Sequence, residues 1–151
     1  IMQIYNMILG GGALETKLAQ NLRNKNSLCY GVQSIYNKYD NLLIITTSVD
    51  KDNIEKAKKL IQSSVNEMKK EVTEEELTHA ITSSISSVNM AFDYQNRIIA
   101  NYLFNYMAEL DPMDIRISKY KEVTLKDVKN LSKKIKLNTI YVLEGDFNEE
   151  N

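Results

Sequence analysis

The stretch that decides the fold is residues 8–30, ILGGGALETKLAQNLRNKNSLCY. Apolar side chains recur at helical spacing before its glycines: Ile1, Ile4, Tyr5 and Ile8. Glycine adopts backbone conformations that are closed to other residues, so we expect the helix to end with a sharp reorientation at Gly10, Gly11 and Gly12. Leucines at steps of four then predict a second helix, and the polar run 24–27 ends it.

An antiparallel hairpin is predicted after this second helix. Residues 28–36 and 42–49 alternate in polarity and are rich in β-branched and aromatic residues, and a polar turn over 37–41 separates them. Residues 139–143 have the same character and predict one more strand near the end of the chain. The two hairpin strands and this last strand form a narrow sheet for the number of helices, so we expect the first strand or strands of the domain to lie upstream.

Helices fill most of the remaining chain. The spacing of Thr73 and Glu76 is typical of a capping box that starts a long helical region, and Thr124 with Asp127 repeats the pattern. An apolar stripe continues through this region as far as Tyr106. No linker-like composition interrupts residues 1–151, so we expect one α+β domain with helices packed on one face of an antiparallel sheet.

Composition argues against several partners. The net charge is −1 and the lysine clusters lie in helical patterns with acidic or apolar neighbours, so we expect neither nucleic acid nor a membrane as a partner. Cys29 is the only cysteine, which fits a reducing compartment, and we expect a cytoplasmic protein.

The sequence lacks the residues for a catalytic centre of its own. His79 is the only histidine, so a two-histidine zinc motif, a serine triad and a cysteine–histidine pair cannot be assembled within the chain. Glu76 and His79 have a spacing used in metal-binding bundles, but those sites need several such donors. The glycines at 10–12 do not have the spacing of a phosphate-binding loop. We therefore expect no catalytic residue, no metal and no cofactor in this chain.

Several motifs resemble one peptidase family in the right order along almost the whole chain. Residues 8–12 are followed by Lys17-Leu18 and by LRNKNSLCY at 22–30. The later segments are SVD at 48–50, NIEKA at 53–57, VTEEEL at 72–77, VTLKDV at 123–128 and VLEGD at 142–146. This order resembles the second, zinc-free half of insulinase-like metallopeptidases, the family of pitrilysin and the mitochondrial processing peptidase.

The resemblance implies a processing-peptidase-like (metallohydrolase-like, ferredoxin-type) sandwich that closes a chamber with a catalytic half. That half, or a homologous active subunit, would carry the inverted zinc motif and be the partner, and the substrate would be a peptide. This chain would then be the non-catalytic half of a zinc-dependent endopeptidase. By the same resemblance, Arg23 and Tyr30 occupy the positions from which the zinc-free half contacts substrate. A guanidinium and a phenol can both donate hydrogen bonds to a peptide carbonyl.

Three alternatives remain open from the sequence. Ser27 stands where the family usually has glycine, and this form resembles a bacterial subgroup in which some members lack an intact zinc motif. The whole protein could therefore be an inactive structural or partner subunit rather than a peptide hydrolase. Arg23 could instead form a surface ion pair, for example with Glu15, and Tyr30 could pack in the core. An unrelated peptide-binding α+β domain would require the motif order to be coincidental. For the isolated chain, an uncovered apolar surface or strand edge would favour a homodimer.

Overall fold

The computed structural model describes residues 1–11, 14–90, 93–107, 109 and 111–145, and these residues form an α+β fold. The helices are α1 (Met2–Gly10), α2 (Ile54–Glu67), α3 (Glu74–Met90), α4 (Gln95–Met107), α5 (Met113–Lys121) and α6 (Leu125–Ser132). The strands are β1 (Val32–Asn37) and β2 (Leu42–Thr47). A π-helical turn at Ala19–Asn24 precedes β1, and a short 3₁₀ turn at Lys51–Asn53 precedes α2.

Helix α1 is the centre of the hydrophobic core. Its side chains Ile4, Tyr5 and Leu9 are completely buried, and the helix contacts β1, α3 and α6. Such an apolar helix is stable only where neighbouring elements cover several of its faces. The segment around the glycines is therefore held between the hairpin and the helical layer.

The hairpin is confirmed, and helices cover one of its faces. Strands β1 and β2 pair antiparallel, with Ile35 opposite Ile44. Those two side chains point away from the helices and are 53% and 45% exposed, whereas Val32 and Ile45 on the other face pack against the core. The sequence therefore predicted the alternation of the strands and the single helical layer correctly.

The first strand is shorter than predicted. Residues 28–31 lie outside β1, so Cys29 is in an irregular segment and not in a strand. Ser27 has a positive φ of 51° and turns the chain just before this segment. A strand begins only where the backbone is extended and can pair with the neighbouring strand. For β1, pairing with β2 starts at Val32.

The predicted last strand is wrong. Residues 139–143 form no strand, and the only sheet among the described residues is the two-stranded hairpin. Tyr141 and Leu143 are each 82% exposed. A β-like composition leads to a strand only where a neighbouring strand supplies backbone hydrogen bonds, and no described strand pairs with this segment.

Both predicted capping boxes are confirmed. The Thr73 hydroxyl accepts from the Glu76 backbone amide at 3.2 Å, and the Glu76 carboxylate accepts from the Thr73 amide at 2.9 Å. Thr124 and Asp127 make the same reciprocal pair at the start of α6. These bonds satisfy amides that a helix start leaves without intrahelical partners.

Most of the predicted apolar stripe on α4 is exposed. Four of its members on α4 lie on the surface: Ile99, Tyr102, Leu103 and Tyr106. Periodicity identifies residues that share a face of a helix, but it does not show whether another element covers that face. Within the described ranges, no helix is both long enough and apolar enough to cross a membrane.

Candidate substrate-contacting site

The glycine-rich segment places a helix end unusually close to the hairpin. A Cβ atom on Gly10 would lie 2.8 Å from the Ser34 hydroxyl oxygen and 2.6 Å from Leu18 Cδ1. A Cβ atom on Gly11 would lie 2.7 Å from the Met7 sulfur. Neither glycine has a positive φ, so close packing and not the expected special backbone conformation requires them. Gly12, the third residue of the predicted glycine-rich turn, lies outside the described residues.

The helix after the glycines leads directly to Arg23. It begins at Lys17 and continues as the π-helical turn, in which Leu18 and Leu22 of the leucine pattern are fully buried. Leu14, the first leucine of that pattern, is exposed and precedes the helix. A π-type turn is rare, and such turns occur frequently at functional sites.

Asn21 anchors this turn to α2. Its side-chain amide, 92% buried, donates to the Ser64 hydroxyl at 2.9 Å and to the Glu67 carboxylate at 3.0 Å. Lys25 donates to the Asn21 side-chain oxygen at 3.3 Å, and Asn26 donates to the Asn21 backbone carbonyl at 2.8 Å. A buried network of this kind fixes the orientation of the residues beside it.

The end of the turn is closed by a residue in the left-handed conformation. The Ser27 amide donates to the Arg23 carbonyl at 2.9 Å, and the Leu28 amide donates to the Leu22 carbonyl at 2.9 Å. Glycine is the residue that adopts this conformation with least strain, and serine has it here with φ at 51°. The chain therefore reverses directly after Arg23.

This reversal brings Arg23 and Tyr30 together. The Arg23 guanidinium carbon lies 5.4 Å from the centroid of the Tyr30 ring, within the range of a cation–π contact. Tyr30 is 91% exposed, and Arg23 is half-buried. The alternative in which Tyr30 packs in the core is therefore wrong. A guanidinium and a phenol lie side by side on the surface, where both can donate hydrogen bonds.

Glu15 does not pair with Arg23 in the described part of the chain. Its carboxylate lies 3.4 Å from His79 Nε2, and both side chains are more than half exposed. The described residues contain no group of three or more histidine, cysteine, aspartate or glutamate side chains that could hold a metal ion. The donor set around His79 therefore does not fit zinc, since structural and catalytic sites need three or four ligands.

Lys17 fixes the start of the same segment against α3. Its ammonium lies 2.7 Å from the Glu76 carboxylate and donates to the Glu71 carbonyl at 3.1 Å. The Lys17 side chain is only 13% exposed, so this ion pair is partly shielded from water. The segment that carries Arg23 is thus attached to α2 at one point and to α3 at another.

Sequence reasoning named Arg23 and Tyr30 but not Asn21, Ser64 and Glu67, whose hydrogen bonds anchor the turn that precedes Arg23. The available signal was the position of Asn21. It lies three residues after Leu18 and one before Leu22, so a polar side chain falls beside a buried stripe. A polar residue there needs a partner, because burying an amide without a hydrogen bond costs free energy.

Comparison with known proteins supports the family that the motifs resemble. Residues 1–84 match the model of the peptidase M16 inactive domain. The chain is 26% identical over 152 residues to the probable inactive metalloprotease YmfF of Bacillus subtilis (strain 168), covering 95% of this chain and 34% of that protein.

Solved structures show the same fold. A peptidase M16 inactive domain from Pseudomonas fluorescens matches with a TM-score of 0.73 and 26% identity, over 90% of this chain and 33% of that one. A conserved protein from Enterococcus faecalis V583 matches with a TM-score of 0.78 and 20% identity, over 87% and 32%. The chain spans about a third of the length of these relatives. The motif order is therefore not coincidental, and the chain belongs to the peptidase M16 inactive-domain family.

Proposed function

We propose that this domain forms the zinc-free wall of a peptide-binding chamber and that Arg23 and Tyr30 contact the peptide there. The observation that carries the proposal is the 5.4 Å stacking of the Arg23 guanidinium and the Tyr30 ring on the surface. The relatives are about three times longer than this chain, so a second half of the same or a homologous protein is the expected partner. Any zinc would be held by that partner, because the described residues of this chain form no group of three or more histidine, cysteine, aspartate or glutamate side chains.

The chemistry of the pair suits a peptide backbone. The planar Arg23 guanidinium carries five N–H donors and a permanent charge, and it can hold a carbonyl oxygen in a defined orientation. The Tyr30 ring covers one side of the guanidinium and restricts the directions in which it can donate. The Tyr30 hydroxyl is itself a donor. Two adjacent donors favour a ligand that presents carbonyl oxygens, as an extended peptide does.

The supports of the pair are consistent with a binding role. The Asn21 network and the left-handed Ser27 fix the backbone on both sides of Arg23. Preorganised donors bind a ligand with less loss of conformational entropy than mobile ones. The rest of the chain surface would then set the shape of the chamber. A reducing, cytoplasmic compartment remains the location that the single cysteine favours.

Kinetics of the full-length protein test the proposal. Arg23→Ala should lower kcat/KM for an unstructured peptide about tenfold or more, because a hydrogen bond to a charged donor is lost. Tyr30→Phe, which keeps the ring but removes the hydroxyl, should have a smaller effect. Bound zinc should be unchanged in both variants.

A second arginine–tyrosine pair offers a matched control. Arg97 lies 4.8 Å from the ring centroid of Tyr94, and both side chains are exposed. Arg97→Ala removes the same kind of contact at a different place and should leave turnover unchanged. Equal losses in Arg23→Ala and Arg97→Ala would contradict a specific role for the Arg23–Tyr30 pair.

A second candidate function is that of a partner domain in a catalytically inactive protein. The Bacillus subtilis relative, described as a probable inactive metalloprotease, favours it. The zinc ligands of the other half decide between the two. An intact His-x-x-Glu-His motif with bound zinc supports a peptide hydrolase. Substituted ligands with retained peptide binding support a non-catalytic role for the same wall.

A further inference from the structure

A pocket of about 140 Å³ lies between α1, α3, α4 and α5. None of its lining residues belongs to the Arg23–Tyr30 pair. Arg116 of α5 lies in its wall, and no carboxylate of the described residues forms a salt bridge with that guanidinium. A cation in a partly enclosed pocket attracts a negatively charged group, because low-dielectric walls screen its field less than water does.

The polar groups around Arg116 are arranged as donors. One Arg116 nitrogen donates to the Tyr120 hydroxyl oxygen at 3.2 Å, which leaves the Tyr120 proton for another acceptor. A second nitrogen donates to the Asn105 side-chain oxygen at 3.4 Å. These bonds fix the guanidinium and still leave N–H groups for a ligand, since arginine carries five.

Ser84 supplies an independent observation. Its side chain is 97% buried, it lines the same pocket, and its hydroxyl has no hydrogen-bond partner among the described residues. Buried hydroxyls in folded proteins nearly always have a partner, because burying one without a hydrogen bond costs free energy. Ser84, Arg116 and Tyr120 all line this pocket, so a ligand in it would lie beside all three side chains.

We propose that this pocket binds the carboxylate group of a small ligand. The remaining lining includes Met7, Val88 and Met113, which suit a short apolar group attached to the carboxylate. A cavity of about 150 Å³ accommodates a molecule the size of benzene, so a ligand of roughly four to six non-hydrogen atoms fits. Inorganic phosphate has no apolar part and fits the lining less well. The carboxylate belongs either to a free small acid or to the C-terminus of a peptide.

Binding measurements on the purified protein test this assignment. Propionate should cause saturable shifts in an NMR spectrum, whereas its neutral analogue propionamide should cause none. Arg116→Gln should weaken propionate at least about tenfold, because a charge-assisted hydrogen bond is lost. The matched control Arg97→Gln changes an exposed arginine on α4 and should bind propionate like the unmodified protein.

Ser84→Ala provides a second variant that should fold normally, since it removes a buried hydroxyl without a partner. It should weaken propionate about fivefold, as the loss of one hydrogen bond predicts. A tripeptide acid and its C-terminal amide then identify the source of the carboxylate. Tighter binding of the tripeptide acid than of propionate assigns the pocket to a peptide C-terminus, and the reverse order assigns it to a free acid.

Three results would overturn the proposal. The first is the absence of saturable binding of either acid, or equal binding of propionate and propionamide. The second is propionate affinity that Arg116→Gln and Ser84→Ala leave unchanged. The third is tighter binding of inorganic phosphate than of propionate, which would contradict the carboxylate assignment.

Discussion

Replacing Gly10 by alanine tests whether close packing explains the glycine-rich segment. The added Cβ would lie 2.8 Å from Ser34 Oγ and 3.0 Å from the Ser34 backbone nitrogen. The Leu18 methyl at 2.6 Å is the end of a flexible side chain and can move. Ser34 cannot move as easily, because it lies in β1 and its hydroxyl donates to the Asn6 side-chain oxygen at 2.7 Å.

The expected cost follows from these contacts. Overpacking in a core costs about 1–3 kcal/mol. Alanine regains at most about 1 kcal/mol of helix propensity at this position. Gly10→Ala should therefore lower the free energy of unfolding by about 1–2 kcal/mol. With a urea dependence of about 2 kcal/mol per molar, the unfolding midpoint should fall by about 0.5–1 M.

Gly31→Ala is the matched control for this experiment. A Cβ atom at Gly31 would meet no heavy atom within 4 Å, and Gly31 has no positive φ. Alanine there should raise the stability by about 0.4–1 kcal/mol, because it restricts the unfolded chain. Urea unfolding followed by circular dichroism measures both variants. Equal midpoints for Gly10→Ala and Gly31→Ala would refute the packing explanation.

Three further predictions concern the core and the supports of the site. Burial raises the pKa of Tyr5 to about 12, whereas the tyrosine of the unfolded chain has a pKa near 10. The stability that Tyr5 contributes as a neutral phenol is therefore present below pH 10, and about 2 kcal/mol of it is lost as the pH rises to 12. Tyr5→Phe should remove that loss, and an unchanged pH profile of unfolding would contradict it. Ser27→Val should lower the unfolding free energy by about 1–2 kcal/mol relative to Ser27→Gly, because a β-branched residue is strained at positive φ. Equal urea midpoints for the two variants would contradict backbone strain at this position. Asn21→Ala should lower the free energy of unfolding by about 2 kcal/mol, because it breaks the hydrogen bonds to α2. The control Asn89→Ala, on the exposed face of α3, should lower it by less than about 0.5 kcal/mol. Similar urea midpoints for the two variants would contradict the anchoring role of Asn21.

Local chemistry made part of the fold predictable. The capping boxes at Thr73 and Thr124 join residues that are three positions apart, within one helical turn. Their hydrogen bonds can therefore be predicted from the local sequence alone. The hairpin is also local, since the polar turn brings β1 and β2 together directly. Arg23 and Tyr30 are only seven residues apart, and the reversal at Ser27 places them side by side.

Long-range packing was not predictable in the same way. Residues 139–143 have a strand-like composition, but no described strand pairs with them. The apolar face of α4 follows the helical period and still lies on the surface. Asn21 meets Ser64 and Glu67 across more than forty residues of sequence, and no spacing rule connects such distant positions.

Photo-crosslinking tests most directly whether the surface around Arg23 and Tyr30 contacts a peptide. A photoreactive phenylalanine analogue would replace Tyr30 in the full-length protein, and Tyr94 in a matched control. Both variants would be illuminated with a labelled, unstructured peptide, and the products would be identified by mass spectrometry. We predict a saturable peptide adduct at residue 30 and none at residue 94. Adducts of equal yield at both positions, or none at residue 30, would contradict the proposed role of this surface.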